Sequence, residues 1–242
     1  MDRSHSNALT QKLSKFLDLT ARESEALASL ARRQLTLKTD QGLSEQGQAN
    51  HTAFILTRGW AFSYILLQDG SRQIVDFRVS GDFLGLRGLL SPMSDLFIEP
   101  LTDIEVTEFQ IDALLEMGTQ VPRLMSAILA ALARDQAITV EHLVSIGRRG
   151  ALERMAHFFL ELGSRLEEVG QGRKDNYACP LTQYHLADAL GLSAIHVNRI
   201  LRELREEGHL TFRKGEVFIE DHGQLSTLAG FDPGYLKPHP VF

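Results

Sequence analysis

Apolar and polar positions change rhythm three times along the chain. From Ala8 to about Arg33 the apolar residues recur at helical spacing. Thr20 followed by Glu23 is a capping box, so a helix starts there. From Leu35 to about Gln110 the pattern becomes short apolar runs broken by Gly47, Gly59, Gly70 and Gly81, spaced 11 to 12 residues apart. Ala53–Thr57, Trp60–Leu67 and Gln73–Arg78 lie between them, and Gln68-Asp69-Gly70-Ser71 is a hairpin turn in sequence. Regular short strands with turn residues predict a β sandwich, roll or barrel.

The third rhythm is helical again. Val121 to about Arg148 has no glycine before Gly147, and Pro122 sits where a first-turn proline is tolerated. Met125, Ile128, Leu132, Thr139, His142 and Ile146 form a 3,4-spaced seam interrupted by Asp135. Two arrangements account for such a seam: pairing with a second copy of the helix, or packing on the chain's own β domain. A second helix is predicted over Ala151–Leu166, followed by the polar loop Glu167–Asn176.

Residues Pro180–Gly208 carry the most specific pattern. Thr182 is positioned to cap a short helix in which Leu186 and Leu190 face inward and Ala187 allows close approach. Gly191 supplies the turn, Leu192 an apolar plug, and Ser193 the next cap. Val197, Ile200, Leu201 and Leu204 then form a buried stripe. Ile195, Asn198, Arg199 and Arg202 fall on the opposite face. This is the pattern of a helix-turn-helix, although an ordinary amphipathic hairpin shares part of it. Leu210–Phe212 and Val217–Ile219 around Arg213-Lys214-Gly215 read as a β-hairpin. A hairpin after a recognition helix makes a winged helix whose basic tip suits a phosphate backbone.

Composition narrows the picture. The 242 residues leave room for two modest domains. A net charge of −6 argues against indiscriminate polyanion binding, and Pro180–Asp221 itself holds more acids than bases. A DNA-binding surface must therefore be a local patch. One cysteine excludes a disulfide framework within the chain. The longest apolar run, Leu124–Ala133, is too short to span a bilayer, and the N-terminus has no apolar signal-peptide core. A soluble, cytoplasmic protein without membrane partners is expected. The motifs of P-loop, zinc-protease and nucleophile-elbow enzymes are missing, so no enzyme activity is expected.

Gly81-Asp82-Phe83-Leu84-Gly85, Leu190-Gly191-Leu192-Ser193 and Val197-Asn198-Arg199-Ile200-Leu201 resemble the CRP/FNR family of bacterial transcription regulators. Gly59-Trp60-Ala61, the stretch Leu143–Arg149, and Ala229-Gly230-Phe231-Asp232-Pro233 are similar to an alphaproteobacterial branch that includes FixK relatives. The resemblance covers nearly the whole chain. It implies an α+β chain with an N-terminal cyclic-nucleotide-binding-like β-roll and its helices over residues 1–120. A long dimerisation helix over 121–149 and a C-terminal winged helix-turn-helix domain over 150–242 follow. It also implies a homodimer on a two-fold symmetric operator in double-stranded DNA, and contact with RNA polymerase.

The sensory end departs from the best-known members. Gly85, Leu86, Arg87, Ser94, Asp95 and Thr139 are the candidate effector-pocket positions. Cyclic-nucleotide binders place a glutamate at the position of Leu86 and an Arg-Ser pair at Ser94-Asp95. The adenine-contacting Thr-Ser pair is here Thr139-Val140. Cyclic AMP is therefore not the expected effector, whose identity stays open. One cysteine rules out a four-cysteine iron–sulfur cluster in a single chain. Haem stays open, since one axial histidine suffices, yet nothing distinguishes His51 or His142 among nine histidines. Cys179 is either a redox-sensitive thiol or a bystander.

For DNA readout, Ser193, Ala194, Ile195, His196, Asn198, Arg199, Arg202, Arg213 and Lys214 are the candidate residues. Arg199 matches the family arginine that forks onto guanine. Ile195 stands where the family has a glutamate; it can touch a thymine methyl but cannot accept from cytosine N4. Asn198 can read adenine or reach a phosphate. His196 lies at the edge. The net acidity and the missing glutamate also leave room for a ligand-sensing interaction protein whose helix-turn-helix no longer binds DNA.

Overall fold

The computed structural model describes residues 7–43, 51–86 and 96–237. Gly47, Arg87, Ser94 and Asp95 lie outside the described residues. The chain divides into two compact units, one running up to Ala133 and the other formed by Arg134–Lys237.

In the first unit, the helical N-terminal region is two helices, α1 (Asn7–Leu13) and α2 (Ala21–Ser29). The break follows from Thr20, whose hydroxyl accepts from the Glu23 amide while the Glu23 carboxylate takes the Thr20 N–H at 2.7 Å. Seven strands follow: β1 (Arg33–Leu37), β2 (Thr52–Arg58), β3 (Ala61–Leu66), β4 (Arg72–Arg78), β5 (Phe83–Leu84), β6 (Phe97–Pro100) and β7 (Ile104–Gln110). They form a sheet in the order β1-β7-β2-β5 and a second in the order β4-β3-β6. All described pairings are antiparallel, with Ala53 opposite Phe109 and Phe62 opposite Phe77. Leu56, Ala61, Leu84, Ile98, Ile104 and Val106 fill the space between the sheets.

Strand β2 is buried on both faces, as its unbroken apolar run demands. Its Leu56 points between the sheets, while Ala53 and Ile55 join the core on the far side. That second core gathers α1, α2, the helix α3 (Ile111–Gln120) and the first half of α4 (Pro122–Arg148) over Phe83 and Phe109. Lys12 of α1 forms a buried ion pair with Asp82 at 2.6 Å, fastening the N-terminal helix to the roll. Gly59 turns the chain between β2 and β3 at φ +85°. A Cβ there would lie 2.4 Å from the Asp103 carbonyl, so only glycine fits.

The first half of the α4 seam packs on the chain's own β domain, one of the two arrangements its periodicity allows. Ile128 is only 1% exposed and sits in the chain's own core, with Met125 and Leu132 packed against the same cluster. His142 is held by Glu161, leaving Thr139 and Ile146 as the exposed members of the predicted seam. The strongest 3,4 pattern on a helix that covers a domain is the inward face. The exposed apolar stripe lies one residue along, about 100° around the helix: Leu129 at 57%, Val140 at 52% and Leu143 at 69% exposure.

The second unit continues from α4 into α5 (Ala151–Glu168), the strand β8 (Asn176–Ala178), α6 (Gln183–Leu190), α7 (Ala194–Glu206), β9 (Leu210–Arg213), β10 (Glu216–Ile219), α8 (His222–Ala229) and a 3-10 turn, Pro233–Leu236. Helix α5 is the spine; its Met155, Phe159, Leu160 and Leu166 are fully buried. The three strands form a sheet in the order β8-β10-β9. Strand β8 begins at the end of the predicted polar loop. Its Tyr177 is anchored by a 2.6 Å hydrogen bond from its hydroxyl to the Phe159 carbonyl.

Candidate nucleic-acid interface

The two short helices are set by local chemistry. Thr182 Oγ1 accepts from the His185 amide, and His185 Nδ1 accepts the Thr182 N–H at 3.1 Å, a capping box closed by histidine. Gly191 ends α6 in the left-handed region, φ +63° and ψ +42°, which a glycine reaches without steric cost. Ser193 Oγ then accepts from the His196 amide at 3.2 Å and starts α7. Val197, Ile200 and Leu204 are buried, and Leu201 is half-buried at the edge of the stripe.

The opposite face of α7 is open. Ile195, Asn198, Arg199 and Arg202 are exposed, with Ala194 and His196 partly so and Ser193 at the cap. Two of these side chains are already oriented. Asn198 Nδ2 donates to Gln183 Oε1 of α6 at 2.8 Å. Arg199 Nη2 donates to His196 Nε2 at 2.8 Å, which requires the neutral ring with its proton on Nδ1. Gln183 does not stand out in the sequence, because its partner lies 15 residues away across the turn and no helical period connects them.

The wing is the β9–β10 hairpin, with Glu216 opposite Arg213. Arg213 and Lys214 are both exposed at its tip, and Lys214 has a left-handed backbone at φ +52°. The four exposed cations Arg199, Arg202, Arg213 and Lys214 thus lie on the outward face of α7 and on the hairpin tip. Glu203, Glu206 and Glu207 are exposed at the far end of α7. This segregation makes a basic patch on a chain of net negative charge.

Beneath the helix-turn-helix, α5 supplies a polar frame. Arg154 donates to the carbonyl of Leu190, the last residue of α6, and also to those of Ile146 and Arg149 at the end of α4, at 3.0 and 3.1 Å. One guanidinium therefore ties two helix C-termini together, where cations are favoured. Glu161 is buried and takes His142 Nε2 at 3.0 Å and the Tyr235 hydroxyl at 2.9 Å. Burial pushes its carboxyl up, but His142, Arg165 and the Tyr235 hydroxyl outweigh burial and hold it below the usual carboxylate range. His157, 1% exposed, packs against Phe231 and Tyr235. Burial, helped by Arg149 and His142 and opposed by Glu161 and Glu141, pulls its pKa down to about 4.

Cys179 is fully buried just before this region, and burial pushes its thiol up to about 12. A reactive thiolate needs the reverse setting, exposed and electropositive. At the sensory end, Leu86 is buried in the core shared by the roll and the N-terminal helices. Its aliphatic side chain offers no acceptor for a ribose hydroxyl. Gly85 precedes it, Thr139 is exposed with its hydroxyl on the Asp135 carbonyl at 3.1 Å, and Arg87, Ser94 and Asp95 are outside the described residues. No three His, Cys, Asp or Glu side chains are placed to hold a metal ion among the described residues, and no helix among them is long and apolar enough to cross a membrane.

A β-roll followed by a long helix and a winged helix-turn-helix defines a DNA-binding regulator carrying a sensory domain. A model of the cyclic nucleotide-binding domain matches residues 34–120, and one of the Crp-like helix-turn-helix domain matches residues 153–228. The chain is 31% identical over 166 residues to the nitrogen fixation regulation protein FixK of Bradyrhizobium diazoefficiens, covering 69% of each chain. It is 24% identical over 212 residues to the electron transport regulator A of Shewanella oneidensis, covering 88% of this chain and 84% of that one. The solved structure of FixK2 from Bradyrhizobium japonicum superimposes with a TM-score of 0.74 at 25% identity, over 83% of this chain and 98% of that one. The chain belongs to the Crp/FNR family of transcription regulators.

Proposed function

We propose that the protein acts as a cytoplasmic homodimer that presents two α7 helices to a two-fold symmetric operator and controls RNA polymerase at the promoter. The observation that carries this reading is the exposed apolar stripe on α4. Leu129 and Leu143 are two heptads apart, and Ala133 and Val140 are one heptad apart, so all four share a coiled-coil seam. Val144 and Ile146 widen it. Exposed leucine and valine at this spacing are stable in water only if covered, and a second copy of the same helix covers them symmetrically.

Arg199 and the other exposed α7 side chains then read bases, and Arg213 and Lys214 hold phosphates. The sensory unit responds to a molecule other than cyclic AMP, because Leu86 puts an aliphatic group where the ribose needs an acceptor. The test of the assembly is Val140→Glu with Leu143→Glu. Both side chains are exposed in the single chain, so the double variant should keep its circular dichroism spectrum while melting lower and without dependence on protein concentration, since assembly no longer adds to its stability. Sedimentation should show a monomer, and binding to a palindrome selected from random duplexes should be lost. A double variant that stays dimeric would overturn the seam.

A further inference from the structure

Ile195 is 84% exposed, the most exposed large apolar side chain among the described residues. It occupies the second position of α7, on the same face as Arg199 and one helical turn before it. Its neighbours on that face are polar and partly engaged, Asn198 with Gln183 and Arg199 with His196. An isoleucine held out in water at the leading end of a recognition helix cannot donate or accept a hydrogen bond. The floor of the major groove offers it one matching group, the methyl on C5 of thymine. The same methyl is present on 5-methylcytosine and missing from cytosine and deoxyuridine.

We propose that Ile195 is a specificity residue that reads a pyrimidine C5-methyl group. Each half-site then carries a methylated pyrimidine within about two base-pair steps of the guanine taken by Arg199, since the four residue steps between them rise about 6 Å against about 3.4 Å per base step. Thymine fills this position in unmodified DNA. 5-Methylcytosine substitutes for it as far as Ile195 is concerned, so enzymatic C5 methylation of DNA becomes an input to this regulator at operators that carry cytosine there. The inference rests on the DNA-binding reading above and deepens it.

The test uses the full-length protein and the palindrome it enriches from random duplexes. Each thymine of that palindrome is replaced in turn by deoxyuridine, which removes only the methyl group. At one symmetric position affinity should fall about fourfold when one half-site is changed and about fifteenfold when both are, the effect of losing one buried methyl per site. At that position a 5-methylcytosine–guanine pair should bind more tightly than a cytosine–guanine pair by the same factor. Ile195→Ala should bind the parent palindrome more weakly and treat thymine and deoxyuridine alike. Its melting profile should change little, because the side chain is almost wholly exposed. Indifference of the wild type to every deoxyuridine replacement overturns the proposal. So does a methyl preference that survives in Ile195→Ala, since another residue or the shape of the duplex would then be the reader. Enrichment of no sequence at all overturns the DNA-binding reading itself, a separate result.

Discussion

Replacing Arg154 by methionine keeps an unbranched apolar stem and removes the guanidinium that joins the ends of α4 and α6. Three carbonyls lose a charged donor. Those of Ile146 and Arg149 lie near the surface, where water replaces most of the loss, about 0.5 kcal/mol each. Leu190 is buried, and its carbonyl at the end of α6 loses more, about 2 kcal/mol, with the helix-terminus charge included. The net destabilisation should be about 3 kcal/mol. For a unit of this size that lowers the melting temperature by roughly 14 °C. Calorimetry on the full chain should show one transition shifted, and hydrogen exchange should place the loss in α6 and the end of α4. Arg154→Lys, which cannot span three carbonyls, should fall between the two. Operator affinity should drop about tenfold with an unchanged salt slope, because no phosphate contact is lost. An Arg154→Met protein that melts within about 2 °C of the wild type and binds its operator equally well would refute the clamp.

Arg199→Ala should abolish sequence-selective binding in a gel-shift titration while the dimer stays folded, each lost guanine contact costing about 1–3 kcal/mol. Arg213→Ala with Lys214→Ala should weaken all duplexes alike and flatten the dependence of log affinity on log salt by about one per lost phosphate contact. His157 titrates near 6.5 when unfolded and near 4 in the fold, so the unfolded chain binds the extra proton between those values. Stability is therefore full above about pH 6.5 and declines by roughly 3 kcal/mol as pH falls to about 4. His157→Phe, which keeps the ring against Phe231 and Tyr235, should remove that slope in urea titrations at stepped pH. Cys179 should resist thiol reagents in the native protein, and diamide should leave operator binding intact; prompt labelling would contradict its burial.

The parts legible in the sequence are those set within one or two helical turns. The Thr20–Glu23 box, the Thr182 and Ser193 caps and the Gly191 turn each depend on residues within four positions, and the structure has them all. The buried stripe of α7 and the strands around Gly59 and Gly70 follow from periods of 3.6 and 2. What could not be read depends on which neighbour covers a face. The seam through Ile128 has the right period, but which of its two possible partners covers it was not legible, because apolar spacing shows that a face is buried and not by what. Gln183 on Asn198 and Arg154 on Leu190 join residues 15 and 36 positions apart, which no local pattern connects. Strand β8 is three residues long and exists by pairing with β10.

Lys214 is the one non-glycine residue with a left-handed backbone among the described residues. An L-residue with a long side chain is disfavoured there by about 1 kcal/mol or more relative to glycine. Folding alone would select glycine or asparagine at the wing tip. A library of variants screened for heat resistance should therefore enrich Lys214→Gly and Lys214→Asn, and lose grip on DNA in the same step. Thermal endurance and promoter occupancy are set against each other at this single position, so a hardier protein chosen without DNA in the assay would be a poorer regulator.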